Sequence, residues 1–333
     1  MSISDELAAR LRLPLIAAPM LHVSGPELVI AACRSGVMGA FPTANAARAG
    51  GLDAWLERIC GALGPTDAPC CPNLILHRPR PQIEADIEAI RRYRVEWVIT
   101  SVGSAAPVVG PLHDAGCRVL ADVGTVAHAR KAVQSGVDGL VLLSAGAGGQ
   151  TGWLNGLAFV RAVRIFFDGP LVLAGGVADG AALWAARAAG ADLAYMGTRF
   201  IATRESMAAP GYKAMLVESG PDDVLLTRAF TGLRTNMLRA SIEAAGLDPD
   251  ALQEDVTPEQ ARALFGGARA TFEMAQDPAA APQRWRDIWS AGHSVGGVHA
   301  VTGVAELIQA TRQEYRAAME RSLADLRAAG LAR

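Results

Sequence analysis

Two glycine loops hold the residues best suited to chemistry. Ala174-Gly175-Gly176 and Met196-Gly197-Thr198 each end a short apolar run. Glycine leaves backbone N–H groups open to a ligand, and a following helix N-terminus favours an anion. The Thr198 hydroxyl can add a hydrogen bond to a phosphate oxygen. One such loop suits any tight turn. Two in consecutive units point to a phosphate cradle, the site that recurs after the last two strands of a βα barrel. A third loop, SAGAGGQTG at 144–152, has four glycines in nine residues, and its backbone can approach a flat ligand. A phosphate and a flat surface together suggest a phosphorylated aromatic cofactor, and FMN fits.

The candidate catalytic residues are Gln150, His22, His77, Asp122 and His293. Gln150 can donate to and accept from a nitro, carbonyl or carboxylate group, or simply stabilise its loop. His22 and His77 fall just past strand ends, and His293 lies in AGHSVGG. Each can move a proton near neutral pH or hold a loop by a hydrogen bond. Asp122 is read as a general base or as a group that pins Asn73 and neighbouring loops. Cys70 and Cys71 read as inert core residues, and His113 and His128 as structural.

These residues need a frame. Nearly continuous apolar runs occur at 15–20, 36–41, 70–76, 97–102, 118–123, 139–144, 171–177 and 193–199. Such runs suit parallel strands buried on both faces. The intervening segments are amphipathic and glycine-terminated. Gly36, Gly116, Gly136 and Gly190 stand where a helix end needs a left-handed residue. Eight such units predict an α/β fold, a (β/α)8 TIM barrel over residues 1–202, rather than an open doubly wound sheet. No GxGxxG follows the first strand. Residues 203–300 show no strand series and are expected to form a small helical subdomain over the barrel mouth. Breaks there include Pro210, Pro249 and the Gly266–Gly267 pair, and Thr257 opens a capped helix. Within 301–333, residues 303–330 read as one long helix returning to the barrel.

Composition removes several functions. The chain has 31 basic and 33 acidic residues, so no cation excess awaits nucleic acid. Only Lys131 and Lys213 are lysines, and neither follows a strand-like run, which argues against Schiff-base chemistry. A Walker A loop is absent. No apolar run reaches the roughly 18–20 residues of a membrane span. Five cysteines without ligand spacing, and an N-terminus without a signal-like apolar core, fit a reduced cytoplasmic protein with no metal site.

The chain resembles the nitronate monooxygenase (2-nitropropane dioxygenase-like) family of FMN-dependent barrels. The stretches that carry the resemblance are LPLIAAPM, SGVMGAFPTANA, PNLIL, GVDGLVLLSAGAGGQTG, LVLAGGVADG and GADLAYMGTRFIATRES, with a weaker match at DIWSAGHSVGGV. The resemblance implies FMN contacts from the backbone of Ala18, Pro19 and Met20, the side chain of Asn73, and Gly148 and Gly149. It assigns the phosphate to Ala174, Gly175, Gly176, Met196, Gly197 and Thr198. The sequence also departs from the family. Gln150 replaces the histidine of the AGGHxG pattern, and an amide takes no proton near pH 7. Leu143 stands where a polar residue is common, and Asp122 where a basic one is.

The function so implied is oxidation of alkyl nitronates, with molecular oxygen, to carbonyl compounds and nitrite. An NAD(P)H-dependent reductase of enoyl thioesters, quinones or other activated alkenes is the alternative on the same scaffold. A non-catalytic flavin- or phosphometabolite-binding barrel also stays open. The expected partners are a small-molecule substrate and oxygen or NAD(P)H, with no nucleic acid or membrane; a homodimer is left open.

Overall fold

The computed structural model describes residues 3–46, 51–265 and 282–331. Its barrel strands are β1 (Leu15–Ala17), β2 (Met38–Pro42), β3 (Cys70–Ile75), β4 (Trp97–Ser101), β5 (Arg118–Val123), β6 (Gly139–Leu143), β8 (Leu171–Ala174) and β9 (Leu193–Met196). All neighbours pair in parallel, and β9 pairs back onto β1 to close the barrel. The expected TIM barrel is therefore the fold. Closure follows from the apolar runs: both faces of every strand must be covered.

Alternation along each strand separates two cores. Outward residues such as Val119, Ala121, Leu140 and Leu142 pack under the helices. Inward residues such as Ile16, Met38, Cys71, Ile99, Leu120, Val141, Val172 and Leu193 fill the barrel. Gly36, Gly116, Gly136 and Gly190 end their helices at φ between +83° and +108°, as their positions predict.

Past the barrel the sequence expectation fails in one respect. Residues 224–238 form an antiparallel hairpin, β10 (Val224–Thr227) and β11 (Thr235–Leu238). Its third strand is β7 (Gly149–Gln150), in the loop after β6. The added segment is thus mixed, not purely helical. Neither VLLT nor TNML alternates cleanly, and the linker between them is longer than a tight hairpin loop, so the usual hairpin signals are missing. Thr257 does cap the helix Pro258–Phe265: its Oγ1 accepts from Gln260 N at 3.2 Å, and Gln260 Oε1 accepts from Thr257 N at 2.8 Å. The Gly266–Gly267 break lies outside the described residues.

The helix Val304–Ala328 returns to the barrel and packs on the helix Gly180–Ala189. The two backbones meet at Gly180, which donates to Glu314 Oε2 at 2.9 Å. A Cβ there would lie 2.0 Å from Tyr315 N and 2.3 Å from Thr311 O. Among the described residues no helix is long and apolar enough to cross a membrane. Gly180→Ala should force the helices apart and lower stability by about 1–3 kcal/mol, the usual range for overpacking. Denaturant unfolding measures this; an unchanged midpoint would contradict the close approach.

Candidate active site

The strand C-termini of the barrel carry the site, and the loop after β6 is its most constrained wall. Ser144 Oγ donates to Ala174 O at 2.7 Å. Asn236 of β11 donates from Nδ2 to Ala145 O at 3.0 Å and to Ala147 O at 2.7 Å. His293 N donates to Gly146 O at 3.1 Å. Gly149 and Gln150 are then held in the β7–β11 ladder.

Glycine makes this packing possible. A Cβ on Gly148 would lie 2.7 Å from Gly292 N, and one on Gly175 would lie 2.7 Å from Ala147 N. At these two positions, absence of a side chain first lets chain segments meet backbone to backbone. Gly176 differs. Its φ is +74°, it is exposed, and a Cβ there would meet nothing within 4 Å. Gly197 lies beside β1's exit, where its Cβ would be 3.5 Å from Met20 Sδ and 3.6 Å from Ala18 Cβ. Thr198 is buried; its Oγ1 accepts from Gly292 N at 3.0 Å, which leaves the hydroxyl proton to donate.

On the inner face of the barrel strands, three enclosed side-chain atoms have no partner among the described residues: Asn73 Nδ2, Asp122 Oδ1 and Tyr195 Oη. Asn73 Oδ1 accepts from Ser101 Oγ at 3.1 Å, so only the amide's donor end is unused. Burial pushes the Asp122 carboxyl up to about 7 and the Tyr195 phenol well above its ordinary range. Each such atom costs about 1–3 kcal/mol while it lacks a partner. Their number, and their place at the mouth end of a closed barrel, fit a polar planar ligand. A flavin offers ring nitrogens and carbonyls to such atoms. Its phosphate suits the glycine backbone at the ends of β8 and β9, where Gly176 is exposed and Gly175 and Gly197 are partly so.

The histidines divide. His293 is exposed on the cradle side, with Nδ1 3.4 Å from where a Gly146 Cβ would stand. His22 is exposed at φ +60°, and its N–H donates to Asn45 Oδ1 at 3.0 Å. Asn45 Nδ2 in turn holds Met20 O and Ser24 O, which fixes the 18–24 turn. His77 lies toward the added segment. Partial burial, then Arg262, Arg284 and Arg78, pull its pKa down. Arg78 is bound to Asp86 at 2.6 Å, whereas the Arg284 guanidinium donates to a backbone oxygen, Phe230 O, at 2.9 Å. Gln150 is half-buried beside Thr235. The structure thus groups His293 with the loop after β6 and His77 with Arg78, Arg262 and Arg284.

The sequence profile described as "Nitronate monooxygenase" matches residues 6–313. The chain belongs to the nitronate monooxygenase family. It is an FMN-dependent oxidoreductase of that family. A nitronate monooxygenase of Paraburkholderia phytofirmans is 27% identical over 311 residues, which covers 78% of this chain and 84% of the relative. An octahydroindene-carboxyl-CoA dehydrogenase of Mycobacterium tuberculosis is 28% identical over 233 residues, 69% of this chain and 64% of the relative. In fold, FabK from Thermotoga maritima superposes with a TM-score of 0.80 at 24% identity, covering 96% of this chain and 98% of that one. A nitroalkane oxidase from Streptomyces ansochromogenes gives 0.76 at 24%, covering 95% and 99%.

Within this nitronate monooxygenase family barrel, three site residues escape a reading of the sequence. Tyr195 looks like strand filler in LAYMGTR, although its parity puts it on the inner wall. Asn236 sits in a hairpin that the sequence pattern does not announce. Trp285 has φ +69°, and its ring lies 3.8 Å from where a Gly149 Cβ would be; nothing in its local sequence marks that contact.

Asp122 makes stability depend on pH. Its carboxyl has a folded pKa of about 7 against an ordinary value of 3.8. Its protonated form is the one that folding favours. That contribution is full below about pH 4, declines by at most about 1.4 kcal/mol per pH unit as pH rises, and is lost once pH passes through about 7. In cofactor-free protein, Asp122→Asn should therefore gain stability relative to wild type as pH rises across this window. A difference that stays constant with pH, by chemical denaturation, would rule out a buried protonated Asp122.

Proposed function

We propose that this protein is a cytoplasmic nitronate monooxygenase that binds FMN across the barrel mouth and oxidises alkyl nitronates to carbonyl compounds and nitrite. The observation that carries this reading is the trio of enclosed, unpartnered atoms on Asn73, Asp122 and Tyr195 beneath the two glycine loops. Bound FMN supplies the electron-transfer chemistry with oxygen.

The chain's own residues have separate tasks. Gly175, Gly176, Gly197 and Thr198 bind the phosphate through N–H and hydroxyl donors. Ala18, Pro19, Met20 and Asn73 contact the ring system, with Gly148 and Gly149 beside the loop after β6 and Ala174 and Met196 at the strand ends. Gln150, held in β7, orients the nitro group by hydrogen bonds without removing a proton. A preformed nitronate needs no base, so an amide suffices there. His22, His77 and His293 stand at the rim, where each can exchange protons with solvent. All five cysteines are free, which suits a reducing compartment.

One observation favours a second reading, a reductase of an acyl thioester with NAD(P)H. Arg262 and Arg284 both act on His77 at the rim, and neither is in a salt bridge among the described residues. Such cations suit a phosphorylated acyl carrier. The relative named as a carboxyl-CoA dehydrogenase agrees with that chemistry.

Purified protein should release FMN, identified by mass spectrometry. Gly176→Asp and Gly197→Asp should each weaken FMN binding at least about tenfold, because a carboxylate would face the phosphate. Stoichiometric FMN in both variants would refute the cradle. Gln150→His should restore a base, raising anaerobic flavin reduction by a neutral nitroalkane by about 10²-fold or more. Reduction by the preformed nitronate should change far less. The gain should grow as pH rises through the histidine pKa, because neutral imidazole is the base. Equal change with both substrate forms would remove Gln150 from the base position.

A further inference from the structure

Asp122 ends the inward row of β5, two residues above Leu120, which is fully buried. Its register partner on β6 is Val141, and Val141 pairs in turn with Val172 of β8. These apolar neighbours offer no hydrogen bond. As a residue Asp122 is half-buried, yet its Oδ1 is enclosed and has no partner. The titratable groups that feel its charge are Cys71 of β3 and Tyr195 of β9. Both are buried in the core cluster inside the barrel, and neither can supply a positive charge. No cation among the described residues perturbs Asp122; burial alone does. Ile99 of β4 faces the same chamber and does not titrate. A carboxylate here is uncompensated and close to its protonation point at neutral pH.

The geometry points to a role that deepens, and rests on, the FMN reading: we propose that Asp122 is the proton acceptor that balances charge when the flavin is reduced. Two electrons from dithionite, the reductant of the test, which is itself oxidised to sulfite, would enter the flavin with one proton and leave one added negative charge. The Asp122 carboxylate would then face a like charge inside the barrel, where no cation among the described residues offsets it. It binds a second proton, drawn from solvent, on Oδ1, and the new O–H bond neutralises the chamber. Reoxidation returns that proton. Flavin and carboxylate together take up two electrons and two protons, whereas the flavin alone takes two electrons and one proton. With Asp122 already protonated, at lower pH, the extra uptake vanishes.

The test uses the flavin-loaded full chain. Flavin content is measured first, from FMN released on denaturation. Protein that takes up no FMN overturns both the proposed function and this role. With FMN bound, the midpoint potential is followed against pH by spectroelectrochemistry in wild type and in Asp122→Asn. Above the Asp122 titration point, the wild-type dependence should be roughly twofold steeper than the variant's, two protons against one for a two-electron couple. Equal slopes overturn the role of Asp122 and leave the FMN reading intact. A second measurement needs no variant: the reduced-minus-oxidised infrared spectrum of wild type should gain a protonated-carboxyl band at a pH above the titration point. No such band would likewise overturn the proposal.

Discussion

A polar atom enclosed without a hydrogen bond costs about 1–3 kcal/mol, and the inner wall of this barrel keeps three of them close to its mouth. Around Asn73, Asp122 and Tyr195 the interior is largely apolar, with Ile16, Met38, Val141 and Val172 fully buried. That apolar core supplies stability and fixes the closed shape. Closure in turn fixes where the unpartnered atoms stand, because each sits at an inward position set by strand register. The fold thus stores at one end the hydrogen-bonding capacity that a ligand can satisfy.

Backbone contact does the positioning around that chamber. Gly148, Gly175 and Gly292 let the loop after β6, the end of β8 and the segment before His293 meet without side chains between them. Asn236 and the β7–β11 ladder tie the same loop to the added segment. A loop held on three sides keeps Gln150 in one place, which the hydrogen-bonding role proposed for it needs. Gly176 is left open beside this packing. One loop region therefore combines rigid glycines with an accessible one.

Much of this is legible in the residues. Continuous apolar runs give the barrel, because buried parallel strands leave no alternation to misread. Glycine stops such as Gly116 and Gly136 locate helix ends because the left-handed conformation there selects glycine. The hairpin of 224–238 is not legible, since its strands are four residues each and its packing, not its pattern, makes them strands. Similarly, four glycines in 144–152 suggest approach to a ligand, whereas two of the neighbouring contacts are with Ala147 and Gly292. Composition reports conformational freedom without saying which neighbour uses it. Asp122 stands out as chemistry in the sequence, but its isolation depends on the apolar partners that register brings to it. Tyr195 escapes notice for the same reason, since inward parity becomes informative only once the barrel is closed.

The central claim is that this chamber holds FMN and that nitronate, not nicotinamide, supplies its electrons. Anaerobic mixing of the flavin-loaded enzyme with preformed alkyl nitronates, NADH and NADPH, followed at the flavin absorbance, tests it most directly. The account predicts rapid bleaching by a nitronate and none by either nicotinamide on the same timescale. Bleaching by NADH or NADPH with no response to any nitronate would contradict it and establish the reductase reading instead.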